Sequence, residues 1–446
     1  MNVEKVSNRL EAPAGSTRLG PWSSLVVLLL VSLGVRLALA PVVMNWDDRR
    51  HFIGASHKTL RYGLASVYET VPEYEGKRKV RLPYPPIPVY VYAAVGRTYS
   101  FFEPGFKEIA EFTELPFDSP ALGYLIKLPV FLFELLLTVV IFLFVRKREG
   151  DRRSLICAAL YALNPAVIYD SALWAQPDSI HSCFLALAAI FLIDKRPALC
   201  LSVLTLALLS KPQALMAAPL ILIYLVTNST FRESVSALLA SGAAAAIVFF
   251  PFLLQNPHTI TEMLQTMANR DTYVSGNAHN FWWLVSSIAG FDPKMDDSST
   301  ALAGLSYSAV SIVMVVTLYA LTVTFLLKKR AAPLTSEPLA YVCMLIFIFA
   351  VRMHENHAIQ IIPLLSLTGL ILPHQRAIFL GLTLTVFANM LLHSREIVGV
   401  DGGTLLLAAR AVNSALNVAI FAYWSWKLFR RSEQAVVFLR AFDTGH

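Results

Sequence analysis

Asn45-Trp46-Asp47-Asp48-Arg49-Arg50-His51 stands at the end of an apolar run, Ser24 to Met44, in a chain of 446 residues that is 56% hydrophobic and only 15% charged. A helix of roughly 20 apolar residues crosses the hydrocarbon of a bilayer, so this cluster marks the point where the chain leaves lipid. Ionisable groups cost roughly 2.5 to 3.5 kcal/mol each at the bilayer centre, and a membrane chain that gathers them beside its spans has work for them. A second cluster, Arg352-Met353-His354-Glu355-Asn356-His357, separates two later apolar runs.

Outward from these clusters, apolar runs recur along the whole chain: Ala121 to Val145, Ser154 to Tyr169, Ile180 to Ile193, Ala198 to Ser210, Ala214 to Val226, Ser234 to Leu254, Leu302 to Leu327, Leu339 to Val351, Ala358 to Leu372, Ala377 to Leu392 and Leu405 to Trp426. They predict an all-α polytopic membrane protein with about twelve transmembrane helices. The first run is too long for a removable signal and lacks a small-residue cleavage site, so it reads as a permanent anchor.

The net charge of +7 is spread through short links and is not massed on one face, which argues against nucleic acid as a partner. Lys5, Arg9 and Arg18, then Arg146-Lys147-Arg148, Lys195-Arg196, Arg232, Lys328-Lys329-Arg330, Arg376 and Lys427 fall at every second connection. Cytoplasmic loops are the basic ones, so both termini are expected in the cytoplasm and the long loops outside. Counting Tyr84 to Phe101 as a span would turn every later basic link outward. It is therefore expected as a helix on the outer membrane face. The resulting division is 1–23 cytoplasmic, 24–254 a front module with an outer loop at 45–120, 255–301 a second outer loop, 302–428 a rear module and 429–446 a cytoplasmic tail. In that second loop Phe281 to Ala289 is expected as a re-entrant or surface helix. Cys157, Cys183, Cys200 and Cys343 all fall inside predicted spans, without disulfide or metal spacing, and read as small buried hydrophobes.

The chemistry-bearing residues lie on the outer side. A carboxylate at Asp47 or Asp48 meets both water and a lipid-embedded substrate; adjacent side chains diverge, so one of the two can act as base. Tyr169 to His181 brings Trp174, Gln176 and Asp178 between two short spans, a composition suited to stacking on a sugar ring and binding its hydroxyls, or to an interfacial belt with a helix cap. Ser210-Lys211-Pro212-Gln213 interrupts a long apolar run, as a break lining a cavity does. Asn277 to Trp283 adds Asn280 and Trp282. In the second charge cluster Arg352, His354, Glu355 and His357 fall within one and a half turns of a helix, a cationic patch suited to phosphate. Metal binding is the rival there, but the His-Glu-x-x-His pattern is absent. Arg36, mid-span, is either half of a buried ion pair or a contact to a lipid phosphate.

Taken in order, these motifs resemble the GT-C superfamily of membrane-embedded glycosyltransferases. The resemblance covers nearly the whole chain: an aspartate after the first span, Tyr84-Pro85-Pro86 in a long outer loop, Trp174-Ala175-Gln176-Pro177-Asp178-Ser179, Ser210-Lys211-Pro212-Gln213-Ala214, Asn280-Phe281-Trp282 and Arg352-Met353-His354-Glu355. Bacterial members similar to it carry Trp-Gly-Gln-x-Asp and Arg-Met-His-Glu-Arg-Tyr, where this chain has Ala175 and Asn356-His357. The eukaryotic glucosyltransferases that finish the lipid-linked oligosaccharide have a comparable His-Glu element and Asn-Phe-Trp.

The resemblance implies a GT-C fold and transfer of a hexose, mannose foremost, from a polyprenyl-phosphate donor to a glycan, glycolipid or protein hydroxyl. It implies Asp47 or Asp48 as catalytic base, Arg352, His354, Lys211 and Arg36 at the donor phosphate, and Trp174, Gln176, Asp178, Gln213, Asn280, Trp282, Glu355 and His357 around sugar or acceptor. No metal or other cofactor is expected. The expected location is a bacterial plasma membrane, or the endoplasmic reticulum in a eukaryote. A transporter or lipid flippase, or a non-catalytic relative of the enzymes, competes with this reading. The long outer and short inner loops and the lack of an internal repeat weigh against transport.

Overall fold

A computed structural model describes residues 20–76, 81–268, 272–328, 335–399 and 403–430. Lys5, Arg9 and Arg18, Lys329-Arg330 and most of the expected C-terminal tail lie outside the described residues. The described chain is helical apart from one small antiparallel hairpin, Thr300–Leu302 against Leu305–Ser306. Among the described residues, five helices are long and apolar enough to cross a membrane: Pro21–Leu39, Pro120–Ala162, Phe231–Gln255, Tyr307–Lys328 and Thr404–Arg430. Four shorter apolar helices, Asp178–Ile193, Pro197–Leu208, Ala218–Asn228 and Glu337–Phe349, pack among them.

The breaks between helices follow from the sequence. Gly150 (φ 80°, ψ 178°) bends Pro120–Ala162 between its basic residues, where Arg148 reaches Asp194 at 2.7 Å. Asn164 accepts from the amide of Ala166, and Pro165 brings no amide of its own, so the run expected as one span at 154–169 stops at Ala162. Thr230 and Glu233 form a capping box at the start of Phe231–Gln255.

Two expected spans take a different form. The one expected from Leu302 starts at Tyr307, because Ala303 (φ 49°) and Gly304 (φ 79°) turn the chain into the hairpin. Of the run 358–372 only Ile361–Ser366 is α-helical. Nearly all of that run is buried inside the protein, which is where irregular backbone is tolerated at membrane depth.

The loop after the first span, expected on the outer face, forms its own layer. Asn45, in the left-handed region at φ 57°, starts the helix Trp46–Tyr62, and Pro86 opens the helix Pro86–Phe102, the segment expected as a surface helix. The two helices lie against each other at Gly96, where a β-carbon would come 2.2 Å from the carbonyl oxygen of Ser56. Phe52 stacks on Tyr92 at 5.1 Å, and Tyr68 donates to the carbonyl of Tyr84 at 2.8 Å. This aromatic packing makes a firm platform for the start of Trp46–Tyr62.

Candidate active site

Asp48 lies in the first turn of Trp46–Tyr62, with Asn45 capping the helix. Its Oδ2 accepts two hydrogen bonds, from Trp174 Nε1 and from Gln176 Nε2, each at 2.7 Å. Its Oδ1 accepts none among the described residues. Two donors on one oxygen fix the carboxylate plane and leave the other oxygen open. Asp47, one residue earlier, turns the opposite way: its side chain is 72% exposed, 4.0 Å from Arg395. Arg49 anchors the same turn by donating to the carbonyls of Phe117 and Ser119, both at 2.9 Å.

Trp174 and Gln176 come from a tight turn. Tyr169–Trp174 is a π-helical turn, Ala175 adopts φ 70°, and the amide of Gln176 returns to the carbonyl of Asp170 at 3.0 Å. This left-handed residue aims the indole and the amide side chain at the same carboxylate. The amide oxygen of Gln176 accepts from Tyr84 Oη at 2.9 Å, with Lys211 Nζ at 3.5 Å.

Lys211 is buried and donates to Asp178 Oδ1 at 2.6 Å, while Asn356 donates to Asp178 Oδ2 at 2.6 Å. His181 lies 3.4 Å from Asp178, and its other ring nitrogen is 3.1 Å from Gln360 Oε1. Gln360 in turn donates to the backbone carbonyl of Gln213 at 3.2 Å. One chain of polar contacts therefore runs from Asp48 through Gln176, Lys211 and Asp178 to Asn356, tying the front helices to the second charge cluster.

That cluster is a loop and not the helical patch its spacing suggested. Arg352 takes φ 61° and its amide bonds the carbonyl of Tyr273, Gly276 bonds the carbonyl of Met353, and His354 bridges to Gly276 and Asn277. These backbone bonds hold the segment out of a helix, and Arg352 and Glu355 turn to different neighbours. Arg352 forms a two-pronged pair with Asp297, at 2.5 and 3.1 Å, with its side chain 43% exposed. Glu355 is buried and receives a 3.5 Å contact from Asn277 on Oε1; its Oε2 lies 3.8 Å from His354 Nδ1 and has no hydrogen-bond partner among the described residues. Burial pushes its carboxyl above the usual carboxylate range; the His354 ring opposes that shift and the charge of Asp48 adds to it. His357 Nδ1 accepts from the amide of His354 at 3.2 Å.

The structure thus brings together Asp48, Trp174, Gln176, Asp178 and Lys211, with Glu355 near Asp48 and Gln213 beside Gln360. It puts others elsewhere. Arg36 is fully buried in the first span, paired with Glu134 and donating to Ser32 and the carbonyl of Ala162. Asn280 caps Phe281–Ala289 and donates to the carbonyls of Phe347 and Ala350, and Trp282 donates to that of Phe349 at 2.8 Å, so both dock this helix onto the end of Glu337–Phe349. Tyr92, Asn356 and Gln360 were missed by sequence reasoning. Tyr92 is buried, its hydroxyl has no hydrogen-bond partner among the described residues, and burial raises its pKa far above the ordinary value, with the charges of Tyr84, Asp48 and Asp178 adding to the rise. Its position opposite Phe52 on two amphipathic helices was the one available signal. Among the described residues no three His, Cys, Asp or Glu side chains converge as a metal set.

The family model of the ALG6, ALG8 glycosyltransferase family matches residues 73–418, well over half of the chain. The chain belongs to the ALG6, ALG8 glycosyltransferase family. It is a membrane glycosyltransferase of the GT-C superfamily, as the order of its motifs implied. The matched stretch contains the Trp174 to Asp178 turn, Lys211 and the 352–357 loop of this glycosyltransferase, and Asp48 precedes it. No curated protein sequence matches the chain. Two crystal structures of ArnT from Cupriavidus metallidurans are similar to it, one bound to undecaprenyl phosphate (TM-score 0.48) and one in the apo state (TM-score 0.47). Each is 13% identical and covers 90% of this chain and 76% of its own.

Proposed function

We propose that this glycosyltransferase moves a hexose, mannose in the first instance, from a polyprenyl-phosphate donor to an acceptor hydroxyl at the outer membrane face, with inversion at the anomeric carbon. The observation that carries the reading is the asymmetry of Asp48, with one oxygen held by two donors and the other open. In this mechanism Oδ1 takes the proton of the acceptor hydroxyl as its oxygen attacks the anomeric carbon. The bond from that carbon to the phosphate oxygen breaks on the opposite face, and polyprenyl phosphate leaves. Arg352, the partly exposed cation of the 352–357 loop, and His354 beside it meet the phosphate, and the buried charge of Lys211 adds to the field felt by the leaving group. Glu355, Gln213 and Trp174 face the sugar and acceptor. No metal is assigned a role. About twelve spans, with both termini in the cytoplasm, place these loops outside, consistent with the basic links at alternate connections. The acceptor is a glycan, glycolipid or protein hydroxyl, and a bacterial plasma membrane is the proposed site.

The test is release of polyprenyl phosphate by purified protein offered, separately, the mannose and the glucose donor together with a lipid acceptor extract. Asp48→Asn keeps both hydrogen-bonding neighbours in place but removes the base, and should lower kcat by about 10² to 10⁴. Asp47→Asn should stay within about threefold of the wild type. Equal loss in both variants would remove the assignment of Asp48, and release from the glucose donor alone would replace mannose.

A further inference from the structure

The loop that leaves the helix Pro373–Leu391 turns back across the start of Trp46–Tyr62. There Glu396 Oε1 accepts the backbone amide of Asn45 at 3.0 Å, although 351 residues separate the two in sequence. Ser394 Oγ donates to Glu396 Oε2 at 3.0 Å and lies 3.4 Å from Met44 Sδ, so the carboxylate is itself oriented. On the other side, the amide of Met44 donates to the carbonyl of Leu173 at 3.1 Å, and Leu173 precedes the Trp174 that holds Asp48. Residues 44 and 45 are thus pinned from both sides, four and three residues ahead of Asp48. Asn45 needs that support. It sits at φ 57°, ψ 71°, its side chain reaches the amide of Asp48 only at 3.4 Å, and its own amide precedes the helix and has no helical partner.

We propose that Glu396 is a positioning residue for Asp48: by fixing the amide of Asn45 it sets the start of the helix and hence the place of the open carboxylate oxygen. Glu396 is exposed, touches no residue assigned to donor or sugar, and connects the rear half of the molecule to the base. The contact uses one carboxylate oxygen as an acceptor. A glutamine keeps that acceptor, whereas an alanine removes it and frees the amide to reorient. Because reacting groups tolerate little misplacement, with about 1 Å costing on the order of 100-fold, the loss falls on turnover and not on donor binding. This inference rests on Asp48 being the base.

The experiment compares Glu396→Ala, Glu396→Gln, Asp48→Asn and wild type for kcat and donor KM in the polyprenyl phosphate release assay, with thermal unfolding in detergent for each. The expected result is a kcat lowered about 10- to 100-fold in Glu396→Ala with donor KM within about threefold, and near wild-type kcat in Glu396→Gln. Wild-type kcat in Glu396→Ala, a change confined to KM, or a Glu396→Gln as slow as the alanine would each overturn it. Activity retained by Asp48→Asn would instead remove the underlying assignment of the base, and that outcome is read without reference to either Glu396 variant.

Discussion

Ala175 occupies the position where similar bacterial sequences carry glycine, and its φ of 70° explains why glycine suits it. An L-residue with a β-carbon is strained in the left-handed region, while glycine enters it freely. Ala175→Gly should therefore stabilise the turn by about 1 kcal/mol, seen as a higher thermal midpoint in detergent, with the Trp174 and Gln176 contacts to Asp48 and the turnover unchanged. A lower midpoint would mean that the packing of the Ala175 methyl outweighs the strain. The same turn shows what was legible at this scale. Trp174, Gln176 and Asp178 stood out as an unusual polar and aromatic group, but their targets did not, because the left-handed residue between them decides where they point. The choice between Asp47 and Asp48 was equally hidden: neighbouring side chains diverge, and which one faces inward is set by the backbone of Asn45 and by a partner 351 residues away.

Among the elements, the pair Trp46–Tyr62 and Pro86–Phe102 carries most of the burden, since the first bears Asp48 and the second supports it. Their approach depends on Gly96. A methyl placed there would lie 2.2 Å from the Ser56 carbonyl oxygen, a backbone atom that cannot rotate away, so Gly96→Ala must push the helices apart. We expect a destabilisation of about 1 to 3 kcal/mol together with a lowered kcat, because Phe52 and Tyr92 part when the helices do. Unchanged unfolding and turnover in that variant would show that the helix pair does not position Asp48. The surface placement expected for Pro86–Phe102 rests on the charge count of later links, whereas the glycine contact left no sign in the sequence. The 352–357 loop was misread as a helix for a related reason. Local spacing supports a helical patch there, but the partner residues at 273–277 come from a distant loop, and backbone bonds to them decide the conformation.

For the whole molecule, the order of apolar runs and basic links disclosed a helical membrane enzyme, while the inward breaks at 163–164 and 358–372 were hidden because buried irregular backbone has the same composition as a span. The sidedness can be decided by labelling. All four native cysteines are buried, so introduced ones report against a low background. Glu73→Cys and Lys294→Cys lie in the two loops proposed as outer, and Asp151→Cys and Arg232→Cys lie in basic links. With a membrane-impermeant maleimide on intact cells, the first pair should label directly and the second only after permeabilisation. The alternative, in which Pro86–Phe102 crosses the bilayer, reverses everything after it: Asp151 and Arg232 would label from outside, while Glu73 would still do so and Lys294 would not. That pattern would also carry the loops of Lys211 and Glu355 to the side opposite Asp48. The 2.6 Å contacts of Lys211 and Asn356 with Asp178, and of Gln176 with Asp48 at 2.7 Å, require all of them on one side, so the labelling result tests the continuity of the active site along with the topology.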